Sequence, residues 1–344
     1  MFKRKANLYA LIFIALAACT KQEITPNNQL SSSDESNFLW WPRKNQSPDP
    51  TTPKTKLGLI QETDTLATND LRINDNQQRM SIAGVNITRT AIAISENISY
   101  GLIDGYLADG DSVQIIVNWS DGMNGYRGFP SINDSALVRS HAEAFFQYYA
   151  PYKNQIPFVA VENEWDWQAR HGASIADYLI ELAIITDAGH KYGFKVADGG
   201  ITYTSLQRWT YSQLTGQEQI DWGNSYWIGL TGGYSYTDVM NTVNTYIEGV
   251  QNINIDYSNV HWANKTQCSD GFATAVDKFS SACNKKASVC NEFYPRTDSY
   301  GLFDSTLNEI KGNVLYAIAY SGGKNTEYNG QAIWLTDEML KDLR

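Results

Sequence analysis

From residue 56 onward, short apolar runs alternate with segments of helical periodicity, and this alternation leaves few architectures open. A strand covered on both faces reads as a continuous apolar run, whereas an amphipathic helix shows apolar residues every three to four positions. Lys56–Gln61 (KLGLIQ), Gly84–Ile94 (GVNITRTAIAI) and Val113–Trp119 (VQIIVNW) have the first character. So do Pro157–Asn163 (PFVAVEN), Phe194–Asp198 (FKVAD), Asn259–Trp262 (NVHW), Ala287–Asn291 (ASVCN) and Val314–Tyr320 (VLYAIAY). Helical patterns fall between them. Asp134-Ser135 opens one that carries Ala136, Ala144, Phe145, Tyr148 and Tyr149 on a single stripe. Ser174–Tyr192 is a second, stopped by Gly193, and Phe272–Lys285 and Leu302–Lys311 are two more. A last short helix starts at Thr336-Asp337, and the stretch 201–253 reads as less regular. Eight strands interleaved with helices predict a (β/α)8 barrel, a single domain over residues 56–344. An open doubly wound sheet is the alternative, but no Gly-x-Gly-x-x-Gly turn supports a nucleotide site in it.

Charge narrows the partners. The chain has 344 residues with 27 basic and 37 acidic side chains, a net charge of −10. A binder that tracks nucleic-acid phosphates needs a basic face, so no nucleic-acid partner is expected. Lys3, Arg4 and Lys5 precede a short apolar run that ends Leu16-Ala17-Ala18-Cys19. That run is too short to span a bilayer, which needs about 20 apolar residues, and it reads as a secretory leader over residues 1–18. Leu-Ala-Ala-Cys resembles a bacterial lipobox. The resemblance implies cleavage before Cys19, its acylation, and a lipid anchor in the bacterial cell envelope; an ordinary signal peptide cut nearby is the alternative. Residues 19–55, rich in Ser, Asn, Thr, Pro and Gln, then read as a flexible tether.

Cys268, Cys283 and Cys290 remain beyond Cys19. In an oxidising envelope a Cys268–Cys283 disulfide is expected, closing a loop worth about 3 kcal/mol, with Cys290 a small buried hydrophobe in a strand. The four histidines (His141, His171, His190 and His261) show no zinc-ligand spacing, so neither a metal site nor a cofactor is expected.

Two glutamates stand at matching places. Glu164 ends the fourth predicted strand in Val161-Glu162-Asn163-Glu164-Trp165, and Glu292 ends the seventh in Val289-Cys290-Asn291-Glu292-Phe293. Catalytic groups of a (β/α)8 barrel sit at the carboxyl ends of its strands. Two carboxylates facing one another there are the equipment of a retaining glycosidase, one as nucleophile and one as acid and then base.

Asn-Glu after strand four with Glu after strand seven resembles the clan A glycoside hydrolases, which are retaining (β/α)8 enzymes. The resemblance implies that Glu164 is the acid/base, Glu292 the nucleophile, and Asn163 the partner of the sugar 2-hydroxyl. It further implies that Arg89, late in strand two, keeps the nucleophile ionised; a purely structural ion pair is the other reading of that arginine. His261 matches a position where the clan often lines its pocket with histidine, although it could equally be a core residue. Where the clan often ends strand eight in Trp, this chain has Tyr320-Ser321-Gly322. Val-Glu-Asn-Glu-Trp is also similar to the β-galactosidases of the clan.

Trp119, Trp165, Trp167, Tyr203, Trp222, Trp227 and Trp262 all fall at predicted strand ends or in the following loops, where flat rings could stack on sugars. The expectation is therefore a retaining, endo-acting β-glycanase on a poly- or oligosaccharide. Two alternatives are an exo-acting β-glycosidase and a non-catalytic glycan-binding surface lipoprotein.

Overall fold

Each apolar run expected to be a strand forms one: β1 (Lys56–Gln61), β2 (Ile87–Ala93), β3 (Ser112–Asn118) and β4 (Val159–Val161), then β5 (Val196–Asp198), β6 (Ser258–Asn264), β7 (Ser288–Pro295) and β8 (Tyr316–Ser321). The computed structural model describes residues 54–344 except 62–67, 96–99, 120–128, 227–234, 265–270, 286, 296–299, 323–326, 329–330 and 333. The expected leader, Cys19 and all but the last two tether residues lie outside the described residues, as do Trp227 and Cys268.

Parallel ladders join β2–β3–β4–β5 and β1–β8–β7–β6. The two half-rings meet at two seams with little backbone ladder. At the β5–β6 seam the pairs Ala197–Tyr257 and Ile201–Val260 bridge the chains with a few backbone hydrogen bonds, such as His261 N–H to the Ile201 carbonyl at 3.0 Å, and side chains reinforce them. The Asp198 carboxylate accepts the Asn259 backbone N–H at 3.2 Å, and the Asn259 amide donates to the Asp198 carbonyl at 3.1 Å. At the β1–β2 seam the chains touch closely: a Cβ on Gly58 would stand 2.7 Å from the Ile87 carbonyl oxygen, so only glycine fits there. The buried Asn76 stitches this seam, accepting the Gln61 N–H at 3.0 Å and donating to Thr88 Oγ1 at 2.7 Å. The result is the closed (β/α)8 barrel.

Around it run α1 (Asn69–Ala83), α2 (Gly101–Ala108), α3 (Ser135–Tyr149), α4 (Trp165–Arg170), α5 (Ile175–Tyr192) and α6 (Tyr203–Ser212). The rest are α7 (Gly216–Ser225), α8 (Tyr236–Val250), α9 (Gly271–Ala282), α10 (Tyr300–Ile310) and α11 (Asp337–Lys341). Local chemistry fixes their ends. Ser174 caps α5 by accepting the Asp177 N–H, and Gly193 stops it in the left-handed region at φ +81°.

The stretch 201–253, expected to be irregular, instead holds three helices. Thr202 caps α6 and a Ser235–Asp238 capping box opens α8. Val239, Val243, Tyr246 and Val250 form the buried stripe of α8. Trp209 and Trp222 belong to this packing, with the Trp222 indole donating to the Gln207 carbonyl at 2.9 Å.

The core has two layers. Ile116, Phe158, Ala160, Ala197 and Val289, with Tyr257 and Tyr316, fill the barrel itself. The larger layer, between strands and helices, includes Phe145, Phe146 and Tyr149 of α3 against Leu182 and Ile185 of α5. Full burial of such side chains contributes about 1.5–3 kcal/mol each.

Cys283 and Cys290 are both free, fully buried thiols, and burial pushes both up in pKa. For Cys290 this is the expected role. Cys283, directly after α9, is sunk in the core as a free thiol, while Cys268, its expected bridge partner, lies outside the described residues.

Candidate active site

Irregular backbone at two strand ends gathers the polar groups of the barrel mouth. In β7 the register shifts against β6 between Asn259 and His261, and against β8 between Cys290 and Phe293. Such irregularities re-aim side chains, and this one sets Glu292 opposite His261. Asn291 and Phe293 are fully buried while Glu292 and Tyr294 are partly exposed, so the two-residue period of the strand puts Glu292 and Tyr294 on one face.

Arg89 reaches from β2 to this point. Its guanidinium donates to Glu292 Oε2 at 2.8 Å and to the Asn291 carbonyl at 2.9 Å. The side chains are 8% and 14% exposed, so water screens the pair little. Burial by itself would raise the Glu292 pKa. The Arg89 charge, the His261 charge and the Arg89 hydrogen bond together outweigh it and hold the carboxyl below its ordinary value.

The end of β4 is shaped by two left-handed residues. Glu162 has φ +65° and Glu164 φ +54°, an unusual conformation for side chains with a Cβ. They flank Asn163 and turn the chain abruptly into α4, with the Glu164 N–H donating to the Gly199 carbonyl at 2.9 Å. This turn points Glu164 at His261, whose Nδ1 lies 3.1 Å from Glu164 Oε1. The imidazole is buried, which disfavours its charged form. The Glu292 charge, then the hydrogen bond and charge of Glu164, reverse the balance and raise its pKa.

One oxygen of Glu164, one of Glu292 and a ring nitrogen of His261 all lie within 4.8 Å of one another. Three such donors could serve a divalent ion, but the Arg89 guanidinium already lies against Glu292 and its charge opposes a second cation there. Asn163 is half-buried, and its Oδ1 has no hydrogen-bond partner among the described residues. With Arg89, Gln61, Thr90 and Ile116 it lines a cavity of about 340 Å³ that runs on to Arg72, Leu102 and Tyr106 of α1 and α2 and is not lined by Glu164, His261 or Glu292.

No family model matches the chain, and no curated protein matches it. Solved structures do. A glucosidase from Croceicoccus marinus aligns at TM-score 0.53 and 10% identity over 78% of this chain and 59% of that one. This chain thus spans less than two thirds of that glucosidase. XacCel5A, solved in complex with cellopentaose, aligns at 0.51 and 12% identity over 85% of this chain and 99% of that one. A triple mutant of the endo-β-1,4-glucanase Xac0030 from Xanthomonas axonopodis pv. citri aligns at 0.51 and 10% over 84% and 98%. At these identities the likeness establishes the barrel fold.

The structure thus brings together Arg89, Asn163, Glu164, His261 and Glu292. It does not bring the aromatic set along. Trp165, expected at the substrate face, is fully buried and stacks on Tyr246 at 3.9 Å, because the left-handed turn at Glu164 throws the following residue inward. Trp222 and Trp262 are core residues as well. Trp119 stays half-buried beside His141, and Trp167 is 37% exposed. Tyr203 and Tyr320 are half-buried and lie 6.2 and 5.8 Å from Tyr294, which joins them in an aromatic arc. Tyr294 went unnoticed in the sequence, although its place two residues beyond Glu292 on one strand was the signal for it.

Proposed function

We propose that this protein is a retaining glycoside hydrolase acting on β-linked glycans, with Glu292 as nucleophile and Glu164 as acid/base. The observation that carries the reading is the approach of the two carboxylates within 4.8 Å. Retaining enzymes hold their carboxyl groups about 5–5.5 Å apart, whereas inverting enzymes leave about 6.5–9.5 Å for a water.

In the first step a Glu292 oxygen attacks the anomeric carbon. The bond to the leaving oxygen breaks, and Glu164 gives that oxygen its proton. In the second, Glu164 takes a proton from water, the water oxygen bonds to the anomeric carbon, and the Glu292 ester bond breaks. Arg89 favours the ionised nucleophile, which the attack requires. Asn163, beside Glu164, would hydrogen-bond the sugar 2-hydroxyl.

The reading extends to endo action on a polysaccharide. Burial of Trp165, Trp222 and Trp262 favours a second form, an exo-acting β-glycosidase, because it removes stacking faces from a long cleft. Oligosaccharides among early products mark the first and monosaccharides alone the second.

Azide rescue tests the assignment. Glu292→Ala should lose turnover on every substrate and recover with azide as the α-glycosyl azide. Glu164→Ala should keep the first step on activated aryl glycosides and yield the β-azide, since acid help is worth about 10²–10⁴-fold only for poor leaving groups. Equal loss on all substrates without rescue refutes the roles.

A further inference from the structure

Behind the turn that carries Glu164 lies a second pair of carboxyl groups. Glu162 and Glu181 are both fully buried. Glu162 sits in the left-handed turn at the end of β4, where its N–H donates to the Val117 carbonyl at 2.7 Å. Its Oε1 accepts the Trp119 N–H at 2.6 Å. Glu181 belongs to α5 and is in hydrogen-bonding contact with Glu162. One turn earlier on the same helix face, Tyr178 donates to the Val161 carbonyl at 3.1 Å and accepts the Gly199 N–H at 2.9 Å. Helix α5 therefore grips the last residues of β4 with two side chains spaced i and i+3.

Two buried carboxyls in contact cannot both be ionised. Glu162 already accepts a backbone N–H, which suits a carboxylate. Neither oxygen of Glu181 meets an N–H or hydroxyl donor among the described residues, so Glu181 is the group that holds the proton. Burial first, then the Glu162 charge and hydrogen bond, raise the Glu181 pKa well above its ordinary 4.5. Among the described residues, the titratable groups that also face this cluster are Tyr178 of α5 and Asp198 of β5.

We propose that Glu181 is a positioning residue for Glu164: its protonated carboxyl donates to ionised Glu162 and so locks the Glu162–Asn163–Glu164 turn against β3 and α5. This rests on the glycosidase reading for its functional half. The structural half stands on the carboxyl pair alone. Loss of the shared proton would place two charges in the core, loosen the turn, and carry Glu164 away from its place beside His261.

Glu181→Gln and Glu181→Leu test it. Glutamine offers an N–H donor to Glu162 with no proton to lose; leucine removes the donor. The sign follows from the raised pKa: wild-type stability is full below about pH 4.5 and declines as pH rises toward the folded-state value. Thermal unfolding of the wild type should therefore fall over that range relative to Glu181→Gln, which should be flatter. In kinetics, Glu181→Gln should keep kcat within about threefold and lose the alkaline decline that this proton causes. Glu181→Leu should lose about tenfold or more in kcat on natural glycans with KM nearly unchanged, and much less on activated aryl glycosides, because only the former need the acid.

Parallel unfolding curves for wild type and Glu181→Gln across pH would overturn the pair. Equal losses in Glu181→Leu on both substrate types would overturn the positioning role. Unfolding needs no substrate, so divergent curves with an inactive wild type would sink the glycosidase reading and the positioning role while upholding the shared proton. If Glu181→Leu does not fold, Glu181→Gln decides through its pH profile.

Discussion

Replacing Arg89 by Met isolates what the guanidinium does for Glu292, since methionine fills much of the same space without charge. The Arg89 nitrogen is 2.8 Å from Glu292 Oε2, which puts the charge centres about 4 Å apart. At an effective dielectric of about 20 that separation is worth about 4 kcal/mol, or about three pKa units at 1.36 kcal/mol each. His261 remains, and the site relaxes, so a rise of about two units in the Glu292 pKa is expected. Burial then dominates and carries it above its ordinary 4.5.

The acid limb of kcat/KM on an activated aryl β-glycoside should move up by the same amount. Stability follows the same sign. In the wild type the depressed Glu292 pKa contributes stability above pH 4.5 that is lost as pH falls through the folded value. In Arg89→Met the charge is instead a burden, so the variant should be about 3–5 kcal/mol less stable at neutral pH, and the gap should close only as pH falls below the depressed Glu292 value of the wild type. An unmoved acid limb, or a stability gap that ignores pH, would refute this account of Arg89.

Two further outcomes follow from packing. Gly200→Ala puts a methyl group 2.7 Å from His261 Nε2 at a residue with φ +81°, so it should cost about 1–2 kcal/mol from the backbone and depress activity further by shifting the ring; circular-dichroism melts and kcat measure the two separately. Trp165→Ala should lower stability by about 3–5 kcal/mol, because the indole is fully buried against Tyr246; a raised KM with an unchanged melt would restore it as a glycan platform.

The strands were legible because parallel strands covered on both faces must be apolar throughout, and chain composition records that directly. Besides the three helices within 201–253, α1, α2 and the short α4 escaped notice. In α1 the inward face includes Asn76 and Arg79, both buried, so its apolar stripe of Ile73, Met80 and Ala83 is interrupted by the residues that stitch the barrel seam. Helix α2 has only eight residues, too short for a periodicity to show. Glu164 was readable from its place just after β4, whereas Glu292 and Arg89 lie inside β7 and β2 rather than at their ends; Arg89 does meet Glu292. Burial of the tryptophans was not readable, since an indole after a strand can turn either way and a single left-handed residue decides which. Nor was Glu181: nothing in sequence ties a mid-helix glutamate to one nineteen residues earlier, and only the fold brings them into contact.

Two local irregularities lie where the carboxylates approach one another. Residues at the ends of β4 and β7 are separated by β5 and β6, and ordinary strand geometry spaces neighbouring strands about 4.7–4.9 Å apart. The approach to within 4.8 Å is accompanied by deviations at both ends: the left-handed pair Glu162 and Glu164 on one side, the register shifts of β7 on the other. Backbone and buried polar contacts together hold each deviation: Glu162 by its N–H on the Val117 carbonyl, by Trp119 and by Glu181, and β7 by Arg89 and by the Asn259 Oδ1 that accepts the Asn291 N–H. These local contacts shape the site beyond what the barrel alone provides, which is why a shared fold at 10–12% identity leaves the chemistry to be argued from the site.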